Sequence, residues 1–204
     1  MTEQLPIVRV VDDDPSFLRA VSRRLQVEGF DVETFESVDA FLSSRNREAP
    51  GCLVLDVRMP QTSGLELQDE VARSAEPLPI VFLTAYGDVP TSVRAMKKGA
   101  VDFLTKPVDG ETLVQAVRQA LIRDRQAREA RRQLRDVRRR YESLTARQRE
   151  VFALVVRGLL NKQVADELGT TERTIKAHRA AVMAKMRAQS AADLVRAAER
   201  LAER

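Results

Sequence analysis

The sequence has few cysteines and no long apolar run, the features typical of secreted and membrane-spanning proteins. Its 204 residues include a single cysteine, Cys52, which excludes an internal disulfide framework and fits a reducing compartment. No apolar run approaches the roughly 20 residues of a membrane span, and the first residues lack the basic region and apolar core of a secretory signal. We therefore expect a cytoplasmic protein in which Cys52, inside an apolar run, is a packed core thiol rather than a nucleophile.

The charge of the chain changes sign along its length. Residues 1–120 carry 13 Lys/Arg and 19 Asp/Glu, a net charge of −6, whereas residues 121–204 carry 21 and 11, a net charge of +10. An acidic half followed by a basic half is typical of a signal-receiving domain joined to a nucleic-acid-binding domain, although many basic faces are simply solvated. A chain of this length accommodates two domains.

The first half alternates short apolar runs with amphipathic helical segments. Five such units predict a doubly wound α/β domain with a five-stranded parallel sheet and helices on both faces. The predicted strands lie near residues 7–11, 31–35, 52–56, 79–84 and 101–105, and the predicted helices near 16–28, 37–46, 64–74, 89–98 and from 109 onward.

Carboxylates follow two of the predicted strands. Asp12 and Asp13 come directly after the first strand, and Asp56 ends the third. Because the carboxyl ends of these strands lie side by side at the ligand-binding edge of such a sheet, we expect the carboxylates to meet there. The carboxylates would repel one another, and a hard divalent cation such as Mg²⁺ would compensate their charge most simply. Asp14, by contrast, is expected to be a helix cap.

A hydroxyl and an ammonium are predicted at the same edge, because the fourth strand ends at Thr84 and the fifth leads to Lys106. A phosphoryl group arriving on Asp56 would have the cation, Thr84 and Lys106 to neutralise its oxygens. These side chains therefore predict a site for phosphoryl chemistry on an aspartate.

The order and spacing of these residues resemble the receiver domains of two-component response regulators, a flavodoxin-like fold, over about residues 5–120. The matching pieces are Val11-Asp12-Asp13, Leu55-Asp56 with Met59-Pro60, Thr84-Ala85 and Lys106-Pro107. The resemblance implies that Asp56 is the phosphoacceptor and that the side chain of Lys106 contacts the acyl phosphate. It also implies that the Lys106–Pro107 peptide bond is cis. It implies Mg²⁺ or Mn²⁺ bound by Asp12, Asp13, Asp56 and the backbone carbonyl of Arg58.

The same resemblance implies that Thr84 and Phe103 form a switch pair, although an aromatic residue at position 103 would also pack as an ordinary core residue. The segments 87–90 and 95–103 resemble the FixJ-like branch in particular. In that branch the fourth helix and fifth strand form the surface that changes on phosphorylation and often supports dimerisation.

A long basic helix is predicted between the two halves, because almost no helix breaker occurs from residue 113 to 144. It contains a linker at 121–142 with a heptad-like apolar stripe, which could pack against the chain's own domains or form a dimer seam. Whether the linker holds the domains apart or packed in the resting state is also open. The stripe consists of Ala127, Ala130, Leu134, Val137, Tyr141 and Leu144.

The last part of the chain is predicted to be all-α. Thr145 and Gln148 form a candidate capping box, and helices are predicted near 146–157, 161–168, 172–186 and 190–202. The second of these ends at Gly169 before the third begins, which is the helix-turn-helix pattern. The residues predicted to face inward are Val164, Ala165, Leu168, Ile175, Val182 and Met186.

Residues 143–204 resemble the LuxR-type four-helix DNA-binding domain, so the whole chain resembles a NarL/FixJ-type transcriptional regulator. The resemblance implies a recognition helix at about 171–186 and a dimer contact from the last helix. It also implies a sensor histidine kinase, promoter DNA and RNA polymerase as partners. The candidate DNA contacts are Thr171, Arg173, Thr174, Lys176, Ala177, His178 and Arg179.

One departure from the family pattern and one further residue bear on the DNA contacts. Ala180 stands where several relatives carry a second lysine, which leaves the third base contact open. His178 is expected to contact phosphate or to pack, since no cysteine or second histidine accompanies it as a metal ligand.

Two other functions compete with a phosphorylation-controlled regulator. Phosphatases of the haloacid-dehalogenase type place a second acid two residues after the nucleophilic aspartate, but Asp56 is followed by Val57 and Arg58. We therefore expect that the protein is not an enzyme acting on an external substrate. The reactions expected of it are self-phosphorylation from a phosphodonor and self-dephosphorylation. A DNA-binding or scaffold protein that works without phosphorylation is the third alternative, and the intact acidic site counts against it.

Overall fold

The computed structural model describes residues 5–47, 49–60, 62–85 and 88–202, so Gly87 of the FixJ-like segment lies outside the described residues. The chain divides into two compact units, Met1–Arg128 and Glu129–Arg204, and the division falls inside the linker predicted at 121–142. In the described ranges, no helix is both long and apolar enough to cross a membrane.

The first unit is a five-stranded sheet in which every pairing is parallel and the strand order is β2-β1-β3-β4-β5. This confirms the predicted doubly wound fold. The central strands are apolar except for Arg9 and for the polar residues at their carboxyl ends, as expected for strands with helices on both faces of the sheet. The strands are β1 Ile7–Val11, β2 Asp31–Phe35, β3 Gly51–Asp56, β4 Ile80–Thr84 and β5 Asp102–Thr105.

Five helices accompany the strands, and they form two layers. Leu18 of α1 and Val117 of α5 pack on one face of the sheet, whereas Phe41 of α2, Leu67 of α3 and Ala95 of α4 pack on the other. The helices are α1 Pro15–Val27, α2 Val38–Leu42, α3 Gly64–Ala72, α4 Val89–Lys97 and α5 Gly110–Glu142.

Local side-chain bonds decide where these helices begin and end. Asp14 caps α1 by accepting hydrogen bonds from the backbone N–H groups of the first turn, as predicted. The helix predicted at 37–46 is wrong in length, since α2 ends at Leu42. The hydroxyl of Ser44 accepts a hydrogen bond from the backbone N–H of Asn46, and such local bonds compete with helix propagation.

A buried ionic network at the amino-terminal edge of the sheet was not predicted. Arg9 is fully buried in β1 and donates to the carbonyl of Ala49. Asp124 of α5, 2% exposed, accepts from the backbone N–H of Gly51 and from Nε of Arg128, each at 2.9 Å. These bonds fix α5 to the first unit as far as Arg128.

The second unit contains the end of α5 and four further helices. Val137, Tyr141 and Leu144 join its apolar core, and the Tyr141 and Phe152 rings lie 5.3 Å apart. The second half of the apolar stripe therefore packs against its own domain, one of the two alternatives left open by the sequence. The helices are α6 Ala146–Val156, α7 Asn161–Glu167, α8 Glu172–Met186 and α9 Ala191–Ala202.

Candidate functional site

Asp12 and Asp56 lie side by side because β1 and β3 are neighbours and Val11 pairs with Leu55. Both carboxylates are buried, with Asp12 2% and Asp56 6% exposed. The backbone N–H of Asp14 donates to Oδ1 of Asp12 at 3.0 Å, and that of Arg58 donates to Oδ2 of Asp56 at 2.7 Å. The loops that follow the two strands therefore hold both carboxylates in place.

Gly64 allows the next element to approach this edge closely. A Cβ at position 64 would lie 2.2 Å from the backbone oxygen of Asp56, well inside van der Waals contact. Only glycine therefore lets α3 start directly against the end of β3. The role of Gly64 was not predicted from the sequence, because the close approach exists only in the folded chain.

Lys106 joins the two carboxylates. Its Nζ lies 2.5 Å from Oδ2 of Asp12 and 2.9 Å from Oδ1 of Asp56, and 4.0 Å from the centre of the Phe17 ring. The backbone N–H of Lys106 donates to the carbonyl of Thr84 at 2.7 Å, and the Lys106–Pro107 bond is cis, as predicted. The aspartates, the lysine and the threonine thus meet at one edge of the sheet.

Burial and ion pairing oppose each other in this cluster. Burial raises the pKa of Asp12, against the lowering effect of its hydrogen bond with Lys106. Burial by itself would lower the pKa of Lys106, but its hydrogen bonds with Asp12 and Asp56 outweigh that effect and the pKa lies above its usual value. One ammonium facing two carboxylates leaves the cluster with a net negative charge that a further cation would balance.

The oxygen donors of this edge fit a hard divalent cation. The carboxylates of Asp12 and Asp56 already converge on a single cationic atom, Nζ of Lys106, and oxygen ligands are those that Mg²⁺ prefers. Asp13 follows in the loop and is exposed. Among the residues that the structure describes, no three His, Cys, Asp or Glu side chains form a group that could hold a metal ion as they stand.

Thr84 and Phe103 share one face of the sheet. Thr84 pairs with Thr105 and Phe82 with Phe103, and residues two apart along a strand project to the same side. Thr84 is buried, whereas Phe103 is half-buried and its ring centre lies 6.0 Å from that of Phe82. Phe103 therefore packs on the core while part of it reaches the surface.

An exposed apolar stripe runs along α4. Val89, Val93 and Met96 follow one another at intervals of four and three residues, which places them on one face of the helix. Ala95 is the buried residue of this helix. A stripe of this kind is suited to contact with another protein surface.

The second unit contains a helix-turn-helix built from α7 and α8. Gly169, with a φ of +60°, follows α7, and the hydroxyl of Thr171 caps α8 by accepting from the backbone N–H of Thr174. Val164, Ile175 and Val182 are fully buried, as the inward pattern predicts.

The candidate DNA contacts divide into two groups. Arg173, Lys176 and Ala177 are exposed on the first turns of α8, where a helix that enters the major groove contacts bases. The others are partly engaged within the unit: Thr171 and Thr174 share a hydroxyl contact of 2.9 Å, Arg179 donates to Oδ1 of Asn161 at 3.0 Å, and His178 is half-buried.

Lys185 fixes the other end of α8. Its Nζ donates to the carbonyl of Ser143 at 2.8 Å and to Oε1 of Gln148 at 2.9 Å. Gln148 also closes the predicted capping box with Thr145. The last turn of α8 therefore lies against the junction between α5 and α6.

Two protein families match the chain, one in each half. The family described as response regulator receiver domain matches residues 8–118, and the family described as bacterial regulatory proteins, luxR family, matches residues 142–198.

Similar proteins match along nearly the whole chain. Response regulator protein TodT of Pseudomonas putida is 44% identical over 201 residues, which cover 98% of this chain and 88% of TodT. Transcriptional regulatory protein FixJ of Bradyrhizobium diazoefficiens is 39% identical over 193 residues, 95% of this chain and 94% of FixJ. A low-resolution structure of response regulator StyR is 46% identical, with a TM-score of 0.85, and the match covers 96% of this chain and 99% of that chain.

Proposed function

Because this chain belongs to the NarL/FixJ type of two-component response regulators, we propose that a sensor histidine kinase phosphorylates Asp56 and thereby controls DNA binding by α8. The observation that supports this most strongly is the contact of Lys106 with both Asp12 and Asp56. It unites the charged groups that phosphoryl transfer needs at the end of the sheet.

The chemistry is a substitution at phosphorus. A carboxylate oxygen of Asp56 attacks the phosphorus of a phosphohistidine, a P–O bond forms, the P–N bond breaks and the histidine leaves with the bond's electron pair. With a small acyl phosphate as donor, a carboxylate leaves instead. Water later hydrolyses the acyl phosphate and restores Asp56. Lys106, 2.9 Å from Asp56, neutralises the phosphoryl oxygens, and Thr84 offers its hydroxyl.

Receiver domains generally bind Mg²⁺ at their acidic pocket. In this chain Asp12, Asp13, Asp56 and the backbone carbonyl of Arg58 would hold it, or Mn²⁺ in its place. The bound cation would supply additional positive charge to the phosphoryl oxygens.

The exposed stripe on α4 is the proposed dimer contact of the phosphorylated form. Thr84 at the end of β4 would move toward the phosphoryl group, and Phe103 would turn inward beside it. Both lie on the face of the sheet that α4 covers. The change would therefore reach Val89, Val93 and Met96.

In the DNA-bound form, Lys176 and Ala177 contact bases and Arg173 contacts a base or a phosphate. With this role in transcription, the proposed partners of the protein are promoter DNA and RNA polymerase. The proposed location is the cytoplasm.

Intact mass measurement tests the phosphorylation step. Wild type and Asp56→Asn are incubated with Mg²⁺ and a small acyl phosphate. A single phosphoryl adduct on wild type and none on the variant supports Asp56 as the acceptor. An adduct on both proteins would show that another residue accepts the phosphoryl group, and no adduct on either with this donor would contradict the proposed self-phosphorylation.

A further inference from the structure

The end of α5 carries a strongly basic surface that the recognition of DNA by α8 does not use. Residues 129–142 contain six arginines and three acidic residues, a net charge of +3. Arg132, Arg135 and Arg139 are exposed and follow one another at intervals of three and four, so they share one face of the helix, which we call the arginine face.

The arginine face is fixed to the DNA-binding unit. Val137 and Tyr141, on the opposite side of the same turns, belong to the core of that unit, and Arg149 of α6 donates to the carbonyl of Glu142 at 2.9 Å. With the apolar side of the helix buried, the arginine face points to solvent. These arginines therefore move with α8 as parts of one body.

The end of α5 also contacts the last turn of α8, at the opposite end of that helix from Arg173, Lys176 and Ala177. Lys185 in the last turn of α8 binds the carbonyl of Ser143, and Arg139 precedes Ser143 by about one helical turn, roughly 6 Å along the axis. A major groove that accepts α8 is bordered by phosphates roughly 12 Å apart. We therefore take the DNA backbone beside that groove as the polyanion that this part of α5 can approach.

We propose that the arginine face binds phosphates of the DNA next to the groove that α8 enters, and so adds sequence-independent affinity. This rests on the proposed DNA binding by α8. Arg139 can change partner easily, because its pair with Asp136, 2.7 Å long, joins side chains that are 81% and 39% exposed, and such surface pairs are weak. Arginine is suited to the task because its planar guanidinium pairs with phosphate oxygens.

The test is the salt dependence of DNA binding by the full-length chain, with a random-sequence duplex of 30 base pairs as the probe. Each phosphate contact contributes about 0.9 to the slope of log K against log salt. The double variant Arg132→Gln/Arg139→Gln is therefore expected to have a slope shallower by about 1 to 2 than wild type and a several-fold weaker affinity near 0.1 M salt.

Arg19→Gln/Arg23→Gln is the matched control, since it removes the same charge from two exposed arginines of α1 in the other unit. It is expected to retain the wild-type slope. Equal slopes for wild type and the α5 variant, or equal losses in the α5 variant and the control, would overturn the proposal. All proteins are treated with Mg²⁺ and acyl phosphate, and failure of treated wild type to bind both this duplex and a selected duplex at any salt concentration would instead overturn DNA binding by the chain itself. Circular dichroism melting verifies that both variants are folded.

Discussion

At the scale of single residues, the candidate site depends on Lys106 as much as on the aspartates. Its ammonium contacts both buried carboxylates, and the carbonyl of Thr84 holds its backbone. The sequence predicted this meeting because each residue follows a strand end, and parallel strand ends share one edge.

Lys106→Met is expected to slow phosphorylation of Asp56 by roughly tenfold or more, because one fixed positive charge near the phosphoryl oxygens is lost. The measurement is the time course of the phosphoryl adduct by intact mass. Lys97→Met, which removes an exposed lysine of α4, is the control and should match wild type. Equal rates for all three proteins would contradict the role given to Lys106.

Cys52 is predicted to be unreactive in the folded protein. It is fully buried in β3, and burial raises the pKa of its thiol to about 12, so it stays protonated between pH 7 and 9. A chromogenic disulfide reagent should react with it slowly at pH 8 in native buffer and fully in denaturant. Fast stoichiometric reaction of the native protein would contradict the packing described for β3.

The burial and contacts of some other residues could not be predicted from the sequence. Arg9 interrupts an apolar run, and nothing local indicates that its guanidinium is buried. Asp124 reaches Gly51, 73 positions away, and a pattern of periodicity contains no information on such a pair. Gly64 was missed for the same reason, since its neighbour is the backbone of Asp56.

At the scale of elements, the strands and helices follow from apolar periodicity and caps. The strand bounds agree with the prediction to within one residue because the central strands are buried on both faces and are therefore mostly apolar in sequence. The helix at 37–46 was predicted too long because the hydroxyl of Ser44 forms a local hydrogen bond that apolar periodicity does not register. The long helix was predicted, but its attachment through Asp124 and Arg128 was not.

The start of the linker is predicted to be held by Asp124. Asp124→Ala leaves the buried N–H of Gly51 and the guanidinium of Arg128 without this acceptor, and is expected to destabilise the first unit by roughly 3 kcal/mol. The measurement is urea unfolding followed by circular dichroism. Asp136→Ala, which removes an acid from an exposed pair on the same helix, should change the midpoint little. Similar effects for the two variants would show that the network does not stabilise the fold.

The recognition helix is predicted to depend on Lys176. Its side chain is exposed on the second turn of α8 and forms an ion pair with exposed Glu172. Lys176→Ala should therefore weaken binding to a selected DNA sequence by about 1–3 kcal/mol. Fluorescence anisotropy measures this affinity. Arg45→Ala, which removes an exposed arginine of the first unit, is the control. Phosphorylation of Asp56 should be unaffected in both variants, and an unchanged affinity for Lys176→Ala would remove Lys176 from the DNA contacts.

At the scale of the whole molecule, the change in charge along the chain agrees with its two units. The acidic half contains the carboxylate site, and the basic half contains the helix-turn-helix. The change in charge was consistent with two functions in one chain but did not establish them, and the order of strand-end residues indicated which function the first half has. The continuation of α5 from one unit into the other gives the two parts a shared element.

The central claim is that phosphorylation of Asp56 controls DNA binding, and one affinity comparison tests it. A duplex is first selected from a random pool with phosphodonor-treated wild type, and its affinity is then measured for wild type and Asp56→Asn, each with and without Mg²⁺ and acyl phosphate. We predict that the phosphodonor strengthens binding by wild type at least about tenfold, within the usual range of allosteric coupling, and leaves the variant unchanged. Equal affinity of wild type in both conditions, or the same increase in the variant, would contradict the account.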